Sequence, residues 1–212
     1  MSQNKNLRKV LFIDGSNLYH SMKDNDYDPN NLHFLKFCEK ISREEKPVVR
    51  YYTAPRKRQD GLRKYVNQQN FHEKIKGQNP NLSIYFGRLQ SNHRIKDLYD
   101  NAIMKSFGFD EETILKIHTL MKALKLHTLH KEKGVDVKIA VDLIDMAQRN
   151  EYDIAILVSG DADITPSVKL ARREGKKIIN AHFYKCSSSE LRMACNSHFV
   201  LAEKTFEGCW IS

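Results

Sequence analysis

The five residues Ile154-Ala155-Ile156-Leu157-Val158 are apolar without interruption. A strand with one wet face alternates apolar and polar side chains. A uniform run predicts that both faces are covered, the situation of a parallel strand inside an α/β sheet. Strand-like runs recur at Val10–Ile13, Val48–Thr53, Leu82–Leu89, Lys177–Phe183 and His198–Ala202, and helix-compatible segments separate most of them. Asn31–Glu45 carries Leu32, Leu35 and Ile41 near helical spacing and is stopped by Pro47. Arg58–Lys76 is polar but helix-compatible, with Gly77 as its expected stop, and Val135–Arg149 sets Val137, Ala140, Val141 and Ile144 on one stripe. Pro166–Glu174 begins with proline after Thr165, its expected N-cap, and Ser187–Cys195 opens on serines suited to capping. The alternation predicts an α/β fold with a mostly parallel central sheet and helices on both faces.

A length of 212 residues suits one domain with a substantial core. Ser91–Lys133 interrupts the alternation. Asp110–Leu126 within it reads as a helix, so a helical insertion at about 91–130 is expected, as a lid or substrate wall or as an ordinary elaboration. No apolar stretch approaches the ~18 residues of a membrane span. The run Val10–Ile13 is too short for a signal peptide, so no membrane partner and a cytoplasmic location are expected. Cys38, Cys186, Cys195 and Cys209 form no C-x-x-C pair and read as free, largely buried thiols. The net charge of +9 points to a polyanionic partner.

The apolar run Ile154–Val158 ends in Ser159-Gly160-Asp161-Ala162-Asp163, and Val10–Ile13 ends in Asp14-Gly15-Ser16-Asn17. In parallel sheets, sites lie beyond the carboxyl ends of the strands, where Asp14, Asp161 and Asp163 all fall. Asp136 opens the helix after Gly134 and is placed with them; its alternative role is a favourable charge at a helix N-terminus. Asp142 lies six residues on, about 120° round the helix from Asp136. Two unit charges ~5 Å apart repel by roughly 3 kcal/mol at an effective dielectric of 20, so four acids together call for protonation or a cation. Oxygen donors select Mg²⁺ or Mn²⁺, which supply a bound water and stabilise a leaving oxygen. Asn17 reads either as a ligand, water-orienting or phosphate-contacting group, or as a helix N-cap. Ser159 and Gly160 read as a tight turn with exposed amides.

Three segments together resemble the NYN domain, a PIN-like nuclease fold, and within it the LabA-like (DUF88) branch. They are Phe12-Ile13-Asp14-Gly15-Ser16-Asn17-Leu18, Lys131-Glu132-Lys133-Gly134-Val135-Asp136-Val137 and Val158-Ser159-Gly160-Asp161-Ala162-Asp163. The resemblance spans about Leu7 to Glu203. It implies a single PIN-like, Rossmann-like three-layer sandwich over residues 1–212. It also implies a metal-dependent ribonuclease with Asp14, Asp136, Asp161 and Asp163 as catalytic metal ligands. Asn17, Ser159 and Asp142 would support the site. The Ser91–His130 stretch is longer than in many relatives, and Ile164 stands where an aromatic is frequent.

Arg56, Lys57, Arg58, Arg63 and Lys64 follow a strand end on the same edge and are candidate RNA contacts. A second basic group, Arg172, Arg173, Lys176 and Lys177, is expected on the opposite side. Tyr19, Tyr51, Tyr52 and Phe86 are candidate base-stacking rings, with strand packing the preferred reading for Tyr51 and Tyr52. His118, His127 and His130 read as surface histidines. The expected partner is single-stranded RNA, and a homodimer is left open. The alternative function is an RNA-binding or regulatory module with a degraded site. An aspartyl phosphatase is disfavoured because Asp14 lacks a second Asp two residues on, and neither G-x-G-x-x-G nor a Walker motif is present.

Overall fold

The computed structural model describes residues 7–56, 58, 61–91, 100–123 and 130–211. Lys57 and His127 lie outside them. Six parallel strands form one sheet in the order β3-β2-β1-β6-β7-β8. They are β1 (Lys9–Asp14), β2 (Val48–Thr53), β3 (Leu82–Phe86), β6 (Ile154–Val158), β7 (Lys177–His182) and β8 (Ser197–Val200). β4 (Arg88–Ser91) and β5 (His130–Lys133) pair separately as an antiparallel ribbon. The helices are α1 (Gly15–Asp24), α2 (Phe34–Ser42), α3 (Leu62–Gln78), α4 (Asn101–Ser106), α5 (Glu111–Ala123), α6 (Val135–Gln148), α7 (Thr165–Arg173), α8 (Ser189–Ala194) and α9 (Glu203–Phe206).

The chain separates into two units, Met1–Gly87 with Gly134–Ser212, and Arg88–Lys133. The larger unit holds the sheet. The smaller holds β4, β5, α4 and α5, with Met104, Ile114 and Met121 buried. The expected strand over Leu82–Leu89 is therefore two strands broken at Gly87, whose amide bonds to the Thr53 carbonyl at 2.8 Å.

β1 sits at the centre because it pairs with β2 through Ile13↔Tyr51 and with β6 through Ile13↔Val158. From β1 the chain winds outward through β2 and β3; from β6 it winds outward the other way through β7 and β8. The β1–β6 boundary is thus where the strand order reverses, and the carboxyl-end crevice of such a boundary is where α/β sheets bind ligands.

Alternation along β1 feeds both layers. Leu11 and Ile13 join Leu18, Phe34, Phe37 and Ile75 in the core under α1, α2 and α3. Phe12, fully buried, stacks on Tyr52 with centroids 6.4 Å apart and meets Tyr152 edge-on at 5.8 Å. The Tyr152 hydroxyl donates to the Leu143 carbonyl of α6 at 2.8 Å, which satisfies it in that layer. All five residues of β6 are buried, as a doubly covered parallel strand requires.

One local expectation is corrected. Gly77 does not stop α3, which continues to Gln78 and is closed by Asn79. Tyr51 and Tyr52 are buried at 7% and 0% exposure, in keeping with the preferred strand-packing reading, so neither ring is open to a base. The four cysteines are free, with Cys38, Cys195 and Cys209 buried, and burial pushes all three thiols up. No described helix is long and apolar enough to cross a membrane.

His72 is buried against the rings of Tyr51, Phe71 and Phe86. Burial first, then the Lys76 charge, lowers its pKa from 6.5 to about 4. The unfolded chain binds that proton more readily, so the stability present above about pH 6.5 is lost as pH falls toward 4. Thermal melts at pH 7 and pH 4.5 will show a smaller acid-induced fall for His72→Phe than for the native chain. An equal fall would exclude His72 as a source of the acid sensitivity.

Candidate active site

Asp14 is the last residue of β1 and is 4% exposed. Its carboxylate accepts the Asn17 amide at 3.0 Å and so caps α1. The cap is therefore Asp14, and Asn17 does something else. The Asn17 Oδ1 accepts the Gly160 amide at 3.0 Å and the Ser21 hydroxyl at 3.3 Å. Across 143 residues of sequence, this bond ties the end of β1 to the turn after β6.

The turn is built from its own short polar residues. The Ser159 Oγ accepts the Asp161 amide at 3.1 Å, and an Asp161 carboxylate oxygen accepts the Asp163 amide at 2.9 Å. Asp161 thereby caps the 3-10 turn Ala162–Ile164, which runs into α7. Thr165 is the first residue of α7 and not its N-cap. Its hydroxyl is buried and has no hydrogen-bond partner among the described residues. Ser159 is buried, Asp161 half-buried and Asp163 exposed.

Glycine is required at both strand ends by close approach. A Cβ on Gly15 would lie 2.2 Å from the Tyr51 ring, and one on Gly160 would lie 1.8 Å from the Cys186 carbonyl oxygen. The loop after β7 therefore presses on the turn, and the Ser188 amide bonds to the Gly160 carbonyl at 3.0 Å. From below, the Asn180 side-chain amide of β7 donates to the carbonyls of Ser159 at 2.8 Å and Leu157 at 3.1 Å.

Asp136 occupies the first turn of α6 and is half-buried. α6 leads into β6 and packs on β1 and β2, so it runs antiparallel to the strands and its N-terminus lies at their carboxyl edge. Asp14 shares the Phe12 side of β1, the side α6 covers. Asp14, Asp136 and the Ser159–Asp163 turn thus belong to one edge. Among the described residues, no three His, Cys, Asp or Glu side chains come together as a group able to hold a metal.

Asp142 lies further along α6, facing β2. It accepts the Arg50 guanidinium at 2.9 Å and the Tyr52 hydroxyl at 2.9 Å, and Arg50 in turn donates to the Tyr52 hydroxyl at 3.1 Å. The guanidinium lies 4.3 Å from the Tyr85 ring centre. Burial and the Asp142 carboxylate raise the Tyr52 phenol well above its ordinary value, against the opposing Arg50 charge. The network anchors α6 to the sheet.

Of the basic group, Arg56 and Arg58 follow β2 and Arg63 and Lys64 open α3, at the same carboxyl edge. The Arg56 amide bonds to Gln68, Arg58 lies over the Tyr65 ring at 5.6 Å, and Arg58, Arg63 and Lys64 are exposed. Sequence reading missed Tyr184, which is 83% exposed directly after β7 and next to Lys185. Its only signal was a ring at the end of an apolar run. Tyr19 and Phe86 remain open rings at 37% and 46% exposure.

Two substitutions separate these roles. Gly160→Ala will lose about 1–3 kcal/mol in urea titration, because a methyl must displace the Cys186 carbonyl. Asp142→Ala will lose about 1–3 kcal/mol by stranding Arg50 and the Tyr52 hydroxyl. The double change Arg50→Met with Asp142→Leu will recover much of that loss, since no half-buried charge is left unpaired. No recovery would show that the pair contributes more than neutralisation.

The comparisons with known proteins bear on the fold and the family. No curated protein matches the chain. A crystal structure of a protein of unknown function from Vibrio parahaemolyticus superposes with a TM-score of 0.61 at 18% identity, covering 96% of this chain and 98% of that one. At that identity the likeness speaks for the fold alone. The NYN domain family matches residues 8–203. With nearly the whole sheet and both acidic strand ends inside the match, the chain belongs to the NYN domain family and so to the PIN-like nuclease superfamily.

Proposed function

We propose that this protein is a divalent-metal-dependent ribonuclease of the LabA-like branch, hydrolysing single-stranded RNA at the carboxyl edge between β1 and β6. One observation carries the reading. The Asn17–Gly160 hydrogen bond fastens the Asp14 strand end to the Ser159-Gly160-Asp161 turn at the reversal point of the sheet, in a chain of a nuclease family.

The donor set suits a hard cation. Asp14, Asp136, Asp161 and Asp163 offer only oxygen, which selects Mg²⁺ or Mn²⁺ over softer ions. Mg²⁺ keeps several waters and takes one or two carboxylates together with substrate phosphate, so a closed protein cage is not a requirement. Such an ion, when bound, offsets the carboxylate repulsion and supplies Lewis-acid stabilisation of the departing oxygen.

The remaining work falls to the chain. Asp14 is held by α1's first turn, and Asp161 by its own 3-10 turn, so both carboxylates are pre-positioned by local hydrogen bonds. Asn17 and Ser159 shape the turn without entering the chemistry. Asp142 supports the edge at a distance, by fixing the helix that carries Asp136 to β2. Arg56, Lys57, Arg58, Arg63 and Lys64 hold backbone phosphates, which gives affinity without base selectivity.

The absence of a three-group cluster among the described residues favours one competing reading, an RNA-binding module without catalysis. Labelled single-stranded RNA with Mn²⁺ or Mg²⁺ separates the two. Cleavage is expected, abolished by EDTA and restored by added ion. Asp14→Asn and Asp161→Asn are each expected to slow it by about 100-fold or more while RNA binding persists. Binding without cleavage under every ion, unchanged in Asp161→Asn, would establish the competing reading.

A further inference from the structure

The amino edge of the sheet, opposite the candidate active site, carries an open depression of about 570 Å³ with a cationic lining. Lys169, Arg172 and Arg173 come from α7, Lys176 and Lys177 from the start of β7, and Asn196 from the turn into β8. Among the described residues, no acidic or aromatic residue and no aliphatic hydrophobic residue lines it.

Two of the five cations are spent on the fold. Arg172 donates to the Ala194 carbonyl at 2.6 Å. Lys176, 8% exposed, bonds to the Asn150 side chain at 2.5 Å and lies 5.9 Å from the Tyr152 ring centre. Lys169 reaches Glu190 only at 3.9 Å, with both side chains mostly exposed. Arg173 and Lys177 make no ion pair or side-chain hydrogen bond among the described residues, and both are exposed. Complementing the carbonyl end of α7 accounts for Arg172 and Arg173. It leaves Lys177 without a side-chain partner among the described residues, and Lys169 with only the long contact to Glu190.

We propose that this depression binds the phosphate backbone of a single nucleic-acid strand, as an anchoring site separate from the catalytic edge. The ligand class follows from the lining. Exposed cations serve phosphate contacts first, and without neighbouring rings there is no platform on which bases stack. An open basin lined by long cationic side chains suits a chain passing over it, whereas small-molecule pockets enclose their ligand. The proposal takes its RNA ligand from the proposed function but does not depend on cleavage. β7 has six residues, so the two edges stand ~20 Å apart at ~3.3 Å per residue. A stacked strand advances ~3.4 Å per nucleotide, so a strand engaging both edges spans at least about six nucleotides.

Fluorescence anisotropy with a labelled 20-nucleotide RNA in EDTA tests this without any catalytic readout. Arg173→Glu with Lys177→Glu is expected to weaken binding about tenfold at low salt. It should also flatten the slope of log K against log salt by about 1.4, two contacts at ~0.7 each. Arg173→Lys with Lys177→Arg should bind like the native chain, because phosphate contact needs charge and not shape. Lys36→Glu with Lys204→Glu makes the same charge change away from the depression and should leave the slope nearly unaltered. Thermal melts of the variants confirm folding. An unchanged slope in the Arg173, Lys177 variant, or an equal change in the Lys36, Lys204 variant, overturns the anchoring site while leaving the nuclease reading intact. Failure of the native chain to bind RNA at all overturns both.

Discussion

A single hydrogen bond, from the Gly160 amide to the Asn17 side chain, holds together the two strand ends on which the candidate site is built. It works because each partner is already immobilised. Asn17 is fixed in the first turn of α1 by the Asp14 cap, and Gly160 by the loop after β7 that closes over it. Glycine at 160 is the condition for that closure, since the Cys186 carbonyl occupies the space of a side chain. Sheet pairing brings β1 and β6 alongside one another, but pairing ends at Ile13↔Val158. Beyond that point the link between the two strand ends is made by the Asn17 side chain.

The charges of the larger unit are segregated by height in the sheet. Asp14, Asp161 and Asp163 stand at the carboxyl ends of β1 and β6, with Arg56, Arg58, Arg63 and Lys64 on the same edge beyond β2. The amino edge carries the uncompensated cations of α7 and β7. Between them the Arg50–Asp142 pair is closed on itself through Tyr52, while at the amino edge Arg8 pairs with Asp153 at 3.0 Å just before β6 begins. The Arg8 guanidinium and amide hold the Asp153 carboxyl well below the usual carboxylate range. Each edge therefore displays exposed cations, an arrangement suited to a polyanionic partner.

Much of the architecture was legible because its signals are local. An apolar run that ends in small and acidic residues reads as a buried parallel strand whatever surrounds it, and five of the six main-sheet strands were placed within a residue or two of their ends. The exception was the Leu82–Leu89 run, which looks continuous. Gly87 turns the chain there to bond with Thr53, a partner 34 residues away. In the sequence α1 is signalled only by Asn17 as a candidate cap, because its apolar stripe is just Leu18 and Met22. It is fixed by the Asp14 cap and by packing under β2.

By itself the sequence determined the alternation of strands and helices, the acids at the strand ends and the family to which they belong. Those properties follow from hydrophobic periodicity and contiguous residue patterns, which act over a few residues. Only the tertiary structure decided the jobs of individual polar groups. Asn17 bridges strands and does not cap, Thr165 leaves the capping to the turn before it, and Asp142 is taken up by Arg50 and Tyr52. Tyr51 packs against Gly15 and is unavailable to a base. Each of these outcomes depends on a donor, acceptor or void supplied from a distant part of the chain, and a side chain offering several hydrogen bonds is committed only when the fold presents the partner.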